Sequence, residues 1–132
     1  MELDISLSAV QKPKTHFADR LITAVQQKKS SICVGLDPRL SQIPEFIQKR
    51  HLAKYGKTFE AAMNSFVEFN KGIIDAVVDL VPCVKPQIAF FEQYGAAGML
   101  AFEETCKYAL EQGLIVIGDV KRSDIGSTAE AP

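Results

Sequence analysis

Leu114-Ile115-Val116-Ile117-Gly118-Asp119-Val120-Lys121-Arg122-Ser123-Asp124 is the stretch from which both the fold and the chemistry of this chain are predicted. Its first five residues are apolar and rich in β-branched side chains, which is typical of a short buried strand. Because side chains alternate between the faces of a strand, Asp119 and Lys121 are expected to point the same way, with Val120 opposite. Opposite charges would then share one space at the strand's carboxyl end, and a second carboxylate, Asp124, follows.

The composition of the chain sets limits on its function. It has 132 residues, a net charge of −1, 47% hydrophobic residues and 23% charged residues, as is usual for one soluble domain. The charge balance disfavours nucleic-acid binding, which needs clustered Lys and Arg. No apolar run approaches the roughly 20 residues of a membrane span, and residues 1–14 lack a signal-peptide core. We therefore predict a cytoplasmic protein with no membrane contact.

The cysteines and histidines do not form a metal-binding pattern. Cys33, Cys83 and Cys106 are scattered without any C-x-x-C spacing, and His16 and His51 are isolated. Such cysteines are typically buried reduced thiols. The sequence therefore predicts neither a disulfide nor a structural metal site.

Strand-like and helix-like segments alternate along the chain. Strand-like runs occupy residues 31–37, 81–85 and 114–118. Helical patterns occupy residues 17–27, 59–80 and 92–112, with a shorter amphipathic stretch at 43–52. Residues 127–130 have the spacing of a capping box, as at the start of another helix. This alternation predicts an α/β protein with a parallel sheet.

Each predicted strand ends on charged residues in the same alternation phase. Asp37 closes the first strand, Lys85 the second, and Asp119 with Lys121 the third. Because the carboxyl ends of parallel strands lie at one rim, these four side chains are expected to meet around a single pocket. Interleaved ammonium groups would keep the carboxylates ionised without a metal. A lysine there suits a reaction in which negative charge develops and a proton is then supplied.

Three sequence blocks, in order, resemble those of the orotidine 5′-phosphate decarboxylase family. Asp119-Val120-Lys121-Arg122-Ser123-Asp124-Ile125-Gly126-Ser127-Thr128-Ala129 resembles the family signature D-x-K-x-x-D-I-x-x-T. The blocks Val34-Gly35-Leu36-Asp37-Pro38-Arg39 and Val84-Lys85-Pro86-Gln87-Ile88-Ala89-Phe90-Phe91-Glu92 are similar to the other two blocks of its longer, bacterial-type subfamily. The resemblance covers about residues 16–131.

The resemblance implies a fold and an activity. The family fold is a (β/α)8 TIM barrel, of which this chain would hold the N-terminal portion, about three of eight β/α units. Residues 1–132 would then form a single incomplete domain. The implied activity is that of a carboxy-lyase, converting orotidine 5′-phosphate to UMP and CO2 in de novo pyrimidine synthesis without a cofactor.

The resemblance also implies roles for residues within one subunit. Lys121 would stabilise the carbanion left at C6 of the substrate and deliver its proton. Asp119 would lie against the departing carboxylate. Lys85 would hold Asp119 in place and hydrogen-bond the ribose, and Asp37 would bind a ribose hydroxyl.

Further roles are implied across a subunit interface. Asp124 and Thr128 would reach into the partner's site of a homodimer, completing the charge array and contacting the ribose. Ile125 belongs to the same block and is assigned to substrate binding.

The chain also departs from the family pattern. The family binds phosphate through a glutamine and an arginine in late strand–helix loops, which lie beyond these 132 residues, and Pro132 discourages continuation of the last helix. We therefore expect a fragment that folds poorly, self-associates or needs a complementing piece. Two alternatives stay open: a magnesium-dependent sugar-phosphate decarboxylase or aldolase of the same superfamily, and an inactive barrel fragment.

Overall fold

Three short parallel strands form the centre of the structure, a computed structural model that describes residues 16–122 and residue 126. They are β1 (Cys33–Leu36), β2 (Cys83–Pro86) and β3 (Ile115–Val116), in the spatial order β1-β2-β3. The register places Cys33, Cys83 and Ile115 side by side, and a bridge between Gln87 and Asp119 continues it beyond β3. The predicted parallel α/β architecture is confirmed.

The helices follow the predicted order, with one addition. They are α1 (Phe17–Lys28), α2 (Glu45–Tyr55), α3 (Phe59–Val77), α4 (Ala89–Glu92) and α5 (Gly95–Glu111), with a 3-10 turn at Leu40–Gln42. The Thr58 hydroxyl accepts a hydrogen bond from the backbone N–H of Ala61 at 3.2 Å and so caps the first turn of α3. Gly113 follows the end of α5 with a φ of 88°, the conformation for which glycine is favoured after a helix.

Two elements differ from the sequence prediction. The helix predicted over residues 92–112 begins only at Gly95, as α5, and the short helix α4 precedes it. The chain turns between them at Gly95, whose φ of 63° disfavours other residues. The third strand is shorter than residues 114–118, since Pro86 on β2 has no N–H to donate to the neighbouring backbone. Beyond β3 the pairing continues through one bond from Ile117 N to Val84 O at 2.9 Å and through the isolated bridge between Gln87 and Asp119.

Helices α3 and α5 pack on one face of the sheet. Val34, Leu36, Val84 and Val116 belong to a hydrophobic cluster that also contains Ile74 of α3. A second cluster joins the 3-10 turn and α2 to α3, α4 and α5, with ring centroids of Phe66 and Phe91 6.1 Å apart. Since side chains alternate along each strand, the intervening residues of β1, β2 and β3 lie on the opposite face. The charged residues at the strand ends, Lys85 and Asp119, lie on that same face.

No helix within the described part of the chain is both long and apolar enough to cross a membrane.

Candidate active site

Asp119 is held at the carboxyl end of β2 by its backbone. Its N–H donates to Pro86 O at 3.0 Å, and its carbonyl accepts from the Ile88 N–H at 3.0 Å. These two bonds lie on either side of Gln87, the residue with which Asp119 is bridged. The side chain is consequently fixed in position although it lies beyond the last residue of β3, and it is only 9% exposed.

Two lysines share the Asp119 carboxylate. Lys85 Nζ lies 3.3 Å from Oδ2, and Lys121 Nζ lies 2.5 Å from Oδ1. Each carboxylate oxygen therefore faces one ammonium group, and the three side chains together carry a net charge of +1. Lys85 is 37% exposed and Lys121 is 74% exposed, so a solvent-accessible cation stands directly beside a nearly buried anion. We call Lys85, Asp119 and Lys121 the charged triad.

The neighbouring cations lower the pKa of Asp119. The hydrogen bond from the Lys121 side chain is the main cause, and the Lys85 side chain and Lys121 backbone N–H act in the same direction. Burial acts the other way, because it disfavours the charged form, but the donors outweigh it. Asp119 is therefore ionised at neutral pH and keeps a negative charge between the two lysines.

Gln87 is a further member of the site to which the sequence analysis gave no role. Its side chain is buried, and with the amide nitrogen turned toward Asp119 it donates to Oδ2 at 2.7 Å. It therefore supports the oxygen that Lys85 also contacts. Gln87 lies two residues after Lys85, so the sequence already indicated that both side chains point to the same face of the strand. The contact between Gln87 and Asp119 could not be predicted in this way, because it depends on how β2 and β3 are aligned.

Asp37 lies at the same rim but outside the charged triad. It follows β1, level with Gln87 in the β1–β2 register, and its side chain is exposed. Its Oδ1 lies 3.7 Å from the position that a Cβ on Gly35 would occupy. No ion pair joins it to the lysines in the described part of the chain. Of the four charges expected to meet, the structure brings three into contact and places the fourth at the edge.

The remaining predicted site residues cannot be placed in this way. Asp124, Ile125 and Thr128 lie outside the described residues.

Two arginine contacts near the rim were not predicted. Arg122 Nη2 lies 3.1 Å from Glu92 Oε1, joining the segment after Lys121 to the end of α4. Arg39 lies over the Phe90 ring, 5.0 Å from its centroid. Both pairs tie connecting segments to α4, which begins just after Gln87. They position the backbone around the charged triad, and Arg122 Nη1 also donates to the carbonyl oxygen of Lys121 at 3.3 Å.

The charged triad lies at the rim formed by the strand ends, where Lys121 is mostly exposed. Surface cavities of about 470 Å³ and 490 Å³ open elsewhere, one between α1 and α5 and the other beside α2 and α3. Within residues 16–122, no three His, Cys, Asp or Glu side chains are grouped so that they could hold a metal ion. What the site offers a ligand is a mostly exposed ammonium group held next to an ionised carboxylate.

Sequence comparisons connect this arrangement to one family. The family model described as "Orotidine 5'-phosphate decarboxylase / HUMPS family" matches residues 30–132. An orotidine 5′-phosphate decarboxylase of Rhodopirellula baltica is 50% identical over 115 residues, which are 87% of this chain and 37% of that protein. One from Clostridium acetobutylicum is 42% identical over 112 residues, 85% of this chain and 36% of that protein. The chain thus spans little more than a third of these relatives.

Solved structures agree with the sequence matches. A Streptomyces avermitilis protein provisionally described as orotidine 5′-phosphate decarboxylase superposes with a TM-score of 0.63 at 32% identity, covering 89% of this chain and 37% of that one. Leishmania donovani UMP synthase gives a TM-score of 0.59 at 33% identity, covering 89% of this chain and 21% of that one. The described strands and helices are thus the N-terminal part of a TIM barrel. The chain belongs to the orotidine 5′-phosphate decarboxylase / HUMPS family.

Proposed function

We propose that this chain provides the charged triad of an enzyme that decarboxylates orotidine 5′-phosphate to UMP and CO2 in de novo pyrimidine synthesis. The observation that carries the proposal is the Asp119 carboxylate shared by Lys85 and Lys121, with Lys121 still mostly exposed. The names of the most similar relatives support this reaction over the magnesium-dependent alternative. The triad is the chemical part of the site, and phosphate binding belongs to later barrel units.

The proposed chemistry follows from the charges. The bond between C6 of the pyrimidine and its carboxylate breaks, CO2 leaves, and the electron pair stays on C6. The Lys121 ammonium stabilises this carbanion electrostatically and then donates a proton to it, after which the neutral amine regains a proton from solvent. Asp119 holds the Lys121 ammonium group in place until the carbanion forms.

The free-energy contributions of Asp119 and Lys121 to lowering the reaction barrier can be compared. Enzymes generally lower reaction barriers by ~8–23 kcal/mol. Repulsion between Asp119 and a substrate carboxylate would supply about 4 kcal/mol at about 4 Å with an effective dielectric near ~20. Carbanion stabilisation by Lys121, drawing on binding energy from remote substrate groups, is therefore the larger contribution.

The other residues take roles around this centre in our proposal. Asp37 and Lys85 bind the ribose from within the subunit. Asp124 and Thr128, with Ile125 beside them, complete the site across a homodimer interface. The enzyme acts in the cytoplasm and uses no cofactor.

The direct test is a chimera in which residues 30–132 of this chain replace the matching segment of the Rhodopirellula baltica relative. We expect the chimera to consume orotidine 5′-phosphate, followed by the absorbance change of the pyrimidine. Lys121→Ala should lower kcat at least about a thousandfold, because it removes both the stabilising charge and the proton donor. Substrate binding should be largely retained.

A matched lysine variant separates chemistry from general loss of charge. Lys71 pairs with Glu104 at 2.9 Å on the helical surface, away from the charged triad, so Lys71→Ala should leave kcat unchanged. Near-normal turnover in Lys121→Ala would show that the assigned role is wrong. Turnover that stops when magnesium is chelated would instead favour the sugar-phosphate alternative.

A further inference from the structure

Two cysteines begin neighbouring strands in matched positions. Cys33 is the first residue of β1, Cys83 is the first residue of β2, and the two are register partners. Because the paired strands are about 4.7–4.9 Å apart, their Cα separation falls within the approximate 4.4–6.8 Å range of disulfides. Both side chains lie on the face opposite the helices. Cys33 is also on an edge strand of the described sheet, which can adjust to bring the sulfur atoms together.

The two thiols differ in accessibility. Cys33 is exposed and Cys83 is buried. The pKa of Cys83 is raised to about 11, first by burial and then by the neighbouring Cys33 side chain. An oxidant would therefore meet Cys33 first, with Cys83 directly behind it as a protonated thiol.

We propose that Cys33 and Cys83 form a redox-active dithiol that hydrogen peroxide closes into a disulfide between β1 and β2. The Cys33 sulfur attacks the peroxide, the O–O bond breaks, and a sulfenic acid and water form. The Cys83 sulfur then attacks the Cys33 sulfur and the S–O bond breaks. The departing hydroxide takes the Cys83 proton as a second water. Two thiols are thus oxidised while one peroxide is reduced to two waters.

The dithiol is distinct from the charged triad and does not depend on the decarboxylase proposal. The cysteines lie at the amino ends of β1 and β2, whereas the triad lies at the carboxyl ends of β2 and β3. The bridge would join the edge strand covalently to the strand that carries Lys85.

Cys106 provides an internal control for native pairing. It is on α5, which packs on the other face of the sheet, and it is 23 positions from Cys83. Cys33 is 50 positions from Cys83. Because loop closure favours the shorter separation, an unfolded chain should pair Cys83 with Cys106 more readily than with Cys33. Only the folded β1–β2 register favours the bridge between Cys33 and Cys83, which are farther apart in sequence.

The experiment is peroxide oxidation of the dilute full chain in buffer and in guanidinium, followed by alkylation and non-reducing peptide mapping. In buffer we expect one intramolecular Cys33–Cys83 bridge as the main product in the wild type and in Cys106→Ser. In guanidinium the Cys83–Cys106 bridge should become the more abundant. In Cys83→Ser, oxidation should stop at a Cys33 sulfenic acid that dimedone traps.

Three results would overturn the proposal. These are a Cys83–Cys106 bridge as the main product in buffer, bridges formed only between chains at high dilution, or Cys33 left as sulfenic acid in Cys106→Ser. If the chain did not adopt this register, the Cys83–Cys106 bridge would be the more abundant product in buffer as well as in guanidinium. That result would also overturn the proposal.

Discussion

Asp119 shows how one residue can be both buried and charged. Its carboxylate meets two ammonium groups and the Gln87 amide, so both oxygens are satisfied while little of the side chain reaches water. The lysines remain partly exposed and can be solvated whether or not Asp119 is charged. The ion pairs should therefore stabilise the fold only modestly, and their main effect is to position Lys121.

The lowered pKa of Asp119 predicts a specific acid dependence of stability. Because the folded-state pKa lies below the ordinary value of 3.8, the stabilisation is complete above that value. It is lost as the pH falls through the lowered folded-state pKa. Asp119→Asn removes this contribution, so wild type and variant should differ in free energy of unfolding at neutral pH and converge below about pH 4.

Urea unfolding followed by circular dichroism at several pH values and one low protein concentration measures this convergence. Lys121→Met provides the companion variant, since losing the main donor should move the acid transition up toward 3.8. A constant difference between wild type and Asp119→Asn across the acid range would contradict the assigned ion pairs.

At the scale of elements, the approach of α5 to α4 depends on one glycine. A Cβ on Gly98 would lie 1.7 Å from the carbonyl oxygen of Phe91. Phe91 is fully buried, and its ring meets those of Phe66 and Phe102 edge-on, so it has no room to move aside. The turn at Gly95 and the small residue at Gly98 together allow the two helices to pack closely beside the site.

Gly98→Ala should therefore destabilise the fold by about 2 kcal/mol or more, because the added methyl group forces a backbone shift in a packed core. Gly72→Ala is the matched control. Gly72 is in α3, and nothing lies within 4 Å of its Cβ position. Alanine there should stabilise the helix by roughly 0.5–1 kcal/mol. Equal effects of the two substitutions on the urea midpoint would show that α4 and α5 do not approach as described.

At the scale of the whole molecule, the sheet is covered unequally. The helices cover one face, while the other face is exposed along its edge strand, at Cys33 and Gly35, and less exposed along β2 and β3. Helix α1 buries none of its residues, and Ile32, Leu80 and Val120 are more than half exposed. Parallel sheets are normally covered on both faces, so the exposed part of this face is suited to packing against further protein.

We therefore expect the 132-residue chain alone to self-associate as its concentration rises, through the uncovered face and the edges of β1 and β3. Sedimentation velocity over a dilution series measures this directly. The chimera with the Rhodopirellula baltica relative is the control, because its remaining units cover the same surface, and it should sediment as one defined species. A monomeric 132-residue chain that melts cooperatively at every concentration would contradict the expectation.

The alternation of apolar and charged residues was sufficient to predict much of this structure. The β-branched runs predicted three parallel strands, and the charged residues after them predicted the rim at which Lys85, Asp119 and Lys121 meet. The D-x-K-x-x-D block predicted the family, which the comparisons confirm. The assigned catalytic roles stay predictions until the Lys121 variant is measured.

The sequence by itself therefore determined the fold class, the family and the triad, because these depend on local periodicity and on residue types at strand ends. Only the tertiary structure decided that Gln87 contacts Asp119, that Asp37 stands apart from the lysines, and that Cys33 lies beside Cys83. The physical reason is register. Which residues of neighbouring strands face each other depends on packing between segments far apart in the chain, and no local pattern specifies it.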